Sequence, residues 1–266
     1  MSYISLSDCR LYYEQVGVGE TVLFLHGLGA STRMWEEHAE VLSLNYRVIL
    51  VDIRAHGRST AGNMPLSIEQ FSNDIFEFFK ALELSSVHLV GFSLGGMIAY
   101  EFAVKHSNLL STLTISNSTP HFLLTSLSDK IEFSIRLLLL KVFGINLVAF
   151  LMARNLFPKP SQDEFRKRLI EQSKSVSLKY YIKTIEHLVG WSVVDKLSLI
   201  DVPALLIESE FDYSIFSHQK RYVEKFKNAK YLRLSGSRHM SPWDSKDDFL
   251  EIVNQFILKN SSTKLE

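Results

Sequence analysis

The sequence predicts an α/β architecture: a mostly parallel central sheet flanked by helices, with an inserted helical cap. Three observations carry this. Short apolar runs of strand length recur along the chain, helical periodicity fills the stretches between them, and the alternation lapses between residues 119 and 191. Strands covered on both faces read as continuous apolar runs. Runs of that kind occupy residues 21–25, 47–52, 87–90, 113–116, 204–208 and 231–234. Residues 3–6 and 10–15 alternate instead, which suits an antiparallel hairpin at the sheet edge.

Between the strands, Ile68, Phe71, Ile75, Phe78, Phe79 and Leu82 recur at three- and four-residue spacing and predict a helix, with Ser67 as its N-cap. Phe249, Ile252, Val253 and Phe256, after Pro242, mark a C-terminal helix. From 119 to 191 the pattern is helical, interrupted at Pro158-Lys159-Pro160. That stretch is read as a cap inserted between two core segments, 1–118 and 192–266.

A chain of 266 residues can bury one sizeable core with an elaboration. Lys plus Arg and Asp plus Glu both total 29, so no overall field draws in a polyanion, and nucleic acid is not an expected partner. Cys9 is the only cysteine, which excludes a disulfide framework and a thiolate metal site and favours a cytoplasmic setting. The first ten residues carry no basic-then-apolar signal pattern. Glu132, Arg136 and Lys141 interrupt the most apolar stretch, 131–153. Its longest uncharged run falls short of the ~18 to 20 residues that span a bilayer, so stable membrane insertion is not expected. Nothing in the sequence indicates an oligomeric state.

The sharpest chemical signal is Gly91-Phe92-Ser93-Leu94-Gly95-Gly96, directly after one apolar run and before a helical one. A tight strand-to-helix turn forces its central residue into a strained conformation and admits only glycine where chain segments crowd. The hydroxyl of Ser93 is then a candidate nucleophile at a helix N-terminus, where developing negative charge is favoured. A glycine-rich turn with a capping serine is the blander alternative.

Serine needs a base, and of nine histidines His239 is the best placed, after the last expected strand and before the C-terminal helix. His88 and His106 read as core or helix-end residues, and His38, His187 and His218 as helix-face residues. His121, at the start of the cap, is placed to approach the pocket. An imidazole acting as base needs a carboxylate to orient it. Asp212, following the expected strand 204–208 after Ser209-Glu210-Phe211, is favoured over Glu208 and Glu210. The alternative location, after 113–116, offers Asn117, Ser118 and Thr119 but no carboxylate.

An oxyanion requires aimed donors, and the backbone N–H groups of Leu94 and of Leu28, in His26-Gly27-Leu28-Gly29, are the candidates. The charged segment Asp52-Ile53-Arg54-Ala55-His56-Gly57-Arg58-Ser59 is read as a hydrogen-bonded turn.

Together these residues resemble the α/β-hydrolase family, especially its small capped serine esterases, lactonases and carbon–carbon bond hydrolases. The matching pieces are His26-Gly27-Leu28-Gly29, the segment 52–59, Gly91-Phe92-Ser93-Leu94-Gly95-Gly96, Asp212 and His239, in the family's Ser, Asp, His order. The resemblance implies cleavage of a small or medium ester through an acyl-enzyme, a small-molecule substrate, and no metal or organic cofactor. It also leaves open lactone or carbon–carbon cleavage, an acyl-carrier methyl ester docked on Arg166, Lys167 and Arg168, and a non-catalytic ligand-binding role. Two positions depart from the family pattern: Ser209 stands where glycine is frequent, and no proline follows Asp212 nearby.

Overall fold

The computed structural model describes residues 2–213 and 218–261, so the outer ends of the expected core segments, at 1 and 266, lie outside the described residues. The elements follow in the order β1 (Ser2–Ser5), β2 (Arg10–Val16), β3 (Thr21–Leu25), α1 (Glu36–Leu42), β4 (Arg47–Val51), α2 (Ile68–Ala81), β5 (Val87–Phe92), α3 (Leu94–His106) and β6 (Leu110–Ser116). Helices α4 (Leu127–Leu156), α5 (Asp163–Gln172) and α6 (Leu178–Leu188) come next. The chain then returns through β7 (Ala204–Phe211), β8 (Ala229–Arg238), α7 (Ser241–Asp244) and α8 (Lys246–Asn260).

The eight strands form one sheet in the order β1-β2-β4-β3-β5-β6-β7-β8. The expected hairpin β1–β2 is antiparallel and joins β4 antiparallel; every other pairing is parallel. Alternate residues of the parallel strands feed two cores, as the two-residue period of a strand requires. Leu23, Leu25, Ile49, Val51, Leu89 and Leu113 face the side covered by α2 and α3, whereas Val22, Phe24, Val48, Leu50 and Val90 face Trp35 and the apolar side of α8. Ser67 caps α2 as expected, accepting from the Gln70 N–H.

Helices α4 to α6 form the helical insertion between β6 and β7, with its own small core of Leu140, Val148, Val176, Tyr181 and Ile185. Helix α4 contains an 18-residue window of mean hydropathy 2.1, 17% buried, and among the described residues it is the one helix long and apolar enough to cross a membrane. Such a window admits two charged residues, which is why it is longer than any uncharged run in the same stretch. At Gly144, however, the backbone leaves the helix (φ 75°, ψ 177°), dividing α4 into pieces at 127–143 and 145–156. Each piece alone is shorter than the roughly 20 residues of a spanning helix.

The basic cluster of α5 is mostly engaged. Arg168 pairs with Glu37 and lies 4.6 Å from the Trp243 ring centroid, fastening the insertion to the core. Arg166 binds Asp163 and the carbonyls of Phe157 and Lys159. Only Lys167, 78% exposed along its side chain and paired with Asp163, faces solvent freely. The cluster is therefore chiefly structural.

Candidate active site

Parallel strands in register end at one edge, and ligands of open α/β sheets bind there. Leu25 pairs with Gly91, Phe92 with Ser116, Ser116 with Ile207, and Phe211 with Arg238. The residues that immediately follow are His26, Ser93, Asn117, Asp212 and His239, so five strands deliver their next side chains to the same rim.

Ser93 sits between β5 and α3 at φ 52°, ψ −115°, a region a side chain-bearing residue rarely adopts. Backbone bonds hold it there: its N–H donates to Ser116 O at 3.0 Å, and its carbonyl accepts from Ser118 Oγ at 2.7 Å. The flanking glycines are required by close approach. A Cβ on Gly91 would lie 2.4 Å from the Gly95 carbonyl oxygen, and one on Gly95 would lie 2.3 Å from that of Leu25.

The imidazole of His239 reaches this turn. Its Nε2 is 3.1 Å from Ser93 Oγ and its Nδ1 is 2.6 Å from Asp212 Oδ1. The Phe92 and Tyr213 rings flank it, with centroids 5.1 and 5.0 Å away. Asp244 at the end of α7 accepts from Arg238 N–H and Ser237 Oγ, fixing the corner from which His239 projects.

The Asp212 side chain is fully buried. Besides His239, its Oδ1 accepts from the Tyr213 N–H at 2.7 Å and its Oδ2 from Asn117 Nδ2 at 2.7 Å. Glu208 and Glu210 are engaged elsewhere: Glu208 accepts from Gln219 N–H and Tyr231 Oη, and Glu210 from Gly236 N–H. Strands β7 and β8 extend to Phe211 and Arg238, so Asp212 and His239 follow strand ends directly, without the loops expected at 209–211 and 235–238.

Asn117, which the sequence set aside for lack of charge, organises this rim. Its amide donates to Ser209 Oγ and Asp212 Oδ2, and its carbonyl oxygen accepts from Ser116 Oγ and Ser241 Oγ. All four of its hydrogen-bonding positions are filled. Ser209, the departure from the usual glycine, bridges Asn117 to Ser237 Oγ at 3.1 Å and so has a local reason to be serine.

Leu28 and Leu94 line the same cavity as Ser93. Leu94 opens α3, in the turn where backbone N–H groups lack helical acceptors. The loop carrying Leu28 is shaped by His26, whose Nδ1 donates to Gly27 O at 2.8 Å while Nε2 accepts from the Ile53 N–H at 3.1 Å. That arrangement fixes a neutral ring. The 52–59 segment is the structural turn expected: Asp52 accepts from the N–H groups of Thr32 and Arg58, and Arg54 is buried between Asp74 and Asp8. His121 lines the cavity and meets Tyr222 Oη at 2.7 Å, away from Ser93's hydrogen bonds.

Burial lowers His26 and His38 to about 4 and His56 to about 3. Below pH 6.5 the unfolded chain takes up protons that these folded-state rings refuse, so stability is fully present above that pH and is lost as pH falls toward 4. Each ring contributes on the order of 3 kcal/mol across that window. Urea-unfolding free energies at pH 7, 5 and 4 are expected to decline steeply; a flat series contradicts neutral burial.

The cavity over the rim has a volume of about 740 Å³ and is walled largely by the insertion, including Phe133, Leu139, Val148, Met152 and Tyr181. A hydroxyl bonded to an imidazole, itself bonded to a carboxylate, beneath such a cavity has the parts needed for nucleophilic attack on a carbonyl.

The family model for the alpha/beta hydrolase fold matches residues 20–246. The chain belongs to the α/β-hydrolase family. A relative from Agrobacterium fabrum, provisionally named as the carbamate hydrolase RutD, is 27% identical over 257 residues, 91% of this chain and 95% of the relative. Among solved structures, an esterase from Exiguobacterium antarcticum superposes with a TM-score of 0.88 at 24% identity, covering 96% of this chain and 98% of that one. An enol-lactonase from Burkholderia xenovorans superposes at 0.85 with 21% identity, covering 96% and 99%. The two structural likenesses establish the fold; the family match and the relative support hydrolase activity within it.

Proposed function

We propose that the protein is a serine hydrolase cleaving a small or medium carboxylic ester, with a lactone as the cyclic form of the same bond. The observation that carries this reading is the continuous hydrogen-bond chain from Asp212 through His239 to Ser93 beneath the cavity. His239 takes the Ser93 proton as Oγ attacks the carbonyl carbon. The resulting oxyanion is held by the N–H groups of Leu28 and Leu94, and the leaving alkoxide receives the proton from His239. Water, deprotonated by the same ring, then releases the acid and regenerates Ser93. Asp212 keeps Nδ1 protonated and stabilises the imidazolium formed at each transfer. The names of the relatives, a carbamate hydrolase, an enol-lactonase and an esterase, agree with attack on a carbonyl of this type.

Intact protein exposed to a fluorophosphonate is expected to gain one adduct, at Ser93, and lose hydrolysis of 4-nitrophenyl butyrate in step. Protein that binds ligands without turnover would stay unmodified. In a panel with γ-lactones and vinylogous 1,5-diketones, turnover of the diketones alone would replace ester cleavage with carbon–carbon cleavage.

A further inference from the structure

The wall of the cavity contains a cation whose role the triad does not account for. Arg136, exposed on α4, lines the cavity beside Phe133, Leu139 and Val148, in a wall that also carries Asp129 and Arg221. The other arginines discussed above, Arg54, Arg58, Arg166 and Arg168, each pair with a carboxylate. Among the described residues no carboxylate lies within 4 Å of the Arg136 guanidinium; its hydrogen-bond partner is the Tyr181 hydroxyl, 3.5 Å from Nη2. Glu132, one turn earlier on the same helix, also lines the cavity and attracts Arg136 without reaching ion-pair distance.

Two tyrosines connect this cation to the reacting groups. Tyr181 accepts from Arg136 and lays its ring against the loop of Leu28, since a Cβ on Gly29 would come within 3.0 Å of Tyr181 Cε2. The Tyr213 ring packs on His239, and its hydroxyl also feels the Arg136 charge. A substrate carbonyl held at Ser93 therefore shares its cavity with a guanidinium that has unused donors. Because Tyr181 accepts from Arg136, its own O–H is left to donate.

We propose that Arg136, with the Tyr181 hydroxyl, binds a carboxylate carried on the acyl side of the substrate, so that the preferred substrates are anionic esters or lactones such as monoesters of dicarboxylic acids. The inference rests on the Ser93 reading for its account of turnover. A planar guanidinium fork matches a carboxylate, and a bidentate pair of this kind adds direction to the attraction of opposite charges. A neutral substrate of equal length offers the guanidinium no partner, which makes the arginine a selectivity device rather than a general aid to binding.

Two measurements test this, one with turnover and one without. In the first, kcat/KM for 4-nitrophenyl hydrogen glutarate is divided by that for 4-nitrophenyl pentanoate. The ratio is expected to fall about 10- to 100-fold in Arg136→Gln, the worth of a charge-assisted hydrogen bond, and to lie between the two in Arg136→Lys, which keeps charge but loses the fork. A merely structural arginine would lower both substrates together and leave the ratio alone. In the second, glutarate is titrated calorimetrically into Ser93→Ala, and binding is expected to weaken by a similar factor in the Ser93→Ala/Arg136→Gln double variant. An unchanged ratio, or glutarate affinity equal in the two proteins or absent from both, overturns the proposal. Failure of the wild type to cleave any ester would instead overturn the Ser93 mechanism, while glutarate binding would still decide the role of Arg136.

Discussion

Ser93→Ala is expected to lower kcat for a short aryl ester by about 10⁴- to 10⁶-fold, with the protein still folded and its thermal midpoint shifted by no more than a few degrees. The size follows from the proposed mechanism, in which the variant removes the nucleophile of a unit whose members act together and leaves only binding and the oxyanion donors to help water. The small effect on folding follows from the turn itself. Its shape is held by Ser93 N–H on Ser116 O, by Ser118 Oγ on Ser93 O and by the crowding around Gly91 and Gly95, none of which involves the hydroxyl. Alanine keeps the Cβ, so the positive φ and its strain are retained. Steady-state kinetics beside a thermal melt checks both halves. A loss below about tenfold would remove the hydroxyl from the mechanism, and an unfolded variant would leave the labelling experiment to decide.

The Ser93 turn was legible because a strained strand-to-helix turn imposes glycines at fixed offsets and the flanking segments announce themselves by apolarity. His239 and Asp212 were legible through topology, since residues after parallel strands meet at one edge. Less was visible where polar residues are buried for the sake of one another. Strands β7 and β8 continue through Ser209–Phe211 and Ser235–Arg238, where the apolar pattern stops and the ladder shifts register between Ser209 and Phe211, so apolar runs alone ended both strands early. Asn117 gave no signal either, because its importance lies in four simultaneous hydrogen bonds to residues scattered from 116 to 241.

Arg136 illustrates a different blindness. In the sequence it is a charge interrupting an apolar stretch; only the packing of α4 over the sheet turns that interruption toward the cavity. The break at Gly144 is comparable, as a glycine in a helical pattern is tolerated at modest cost and does not announce a kink. Periodicity locates a helix well, but which residues of its face meet a ligand depends on where the insertion comes to rest. Here that position is set by contacts distant in sequence, such as Arg168 with Glu37 and Ser175 Oγ with Ala30 O at 2.9 Å.

Asp212→Ala is expected to reduce kcat by about 10³- to 10⁴-fold with little change in KM, because the carboxylate acts on the base and not on bound substrate. Among the described residues no neighbouring acid is free to replace it. Glu208 is committed to Gln219 N–H and Tyr231 Oη, Glu210 to Gly236 N–H, and the end of β6 presents Asn117. Asp212→Asn separates charge from shape. Among the described residues, every group hydrogen-bonded to this carboxylate donates to it: His239 and the Tyr213 N–H at Oδ1, and Asn117 Nδ2 at Oδ2. An asparagine can offer its oxygen to one side only. With two donors waiting at Oδ1, its oxygen settles there and its amide faces the Asn117 amide, donor against donor. Asn117 cannot turn over in response, because its carbonyl oxygen already accepts from Ser116 and Ser241. Asp212→Asn is therefore expected to lose activity on the scale of the alanine variant and, unlike Ser93→Ala, to lower the denaturation midpoint as well, since a buried mismatch costs about 1–3 kcal/mol. Adding Asn117→Asp restores an acceptor opposite the new amide and should return the midpoint toward wild type without returning the rate. If Asp212→Ala retained more than a tenth of wild-type kcat, the hydrogen bond from His239 to Asp212 would be architectural and the base would work without it.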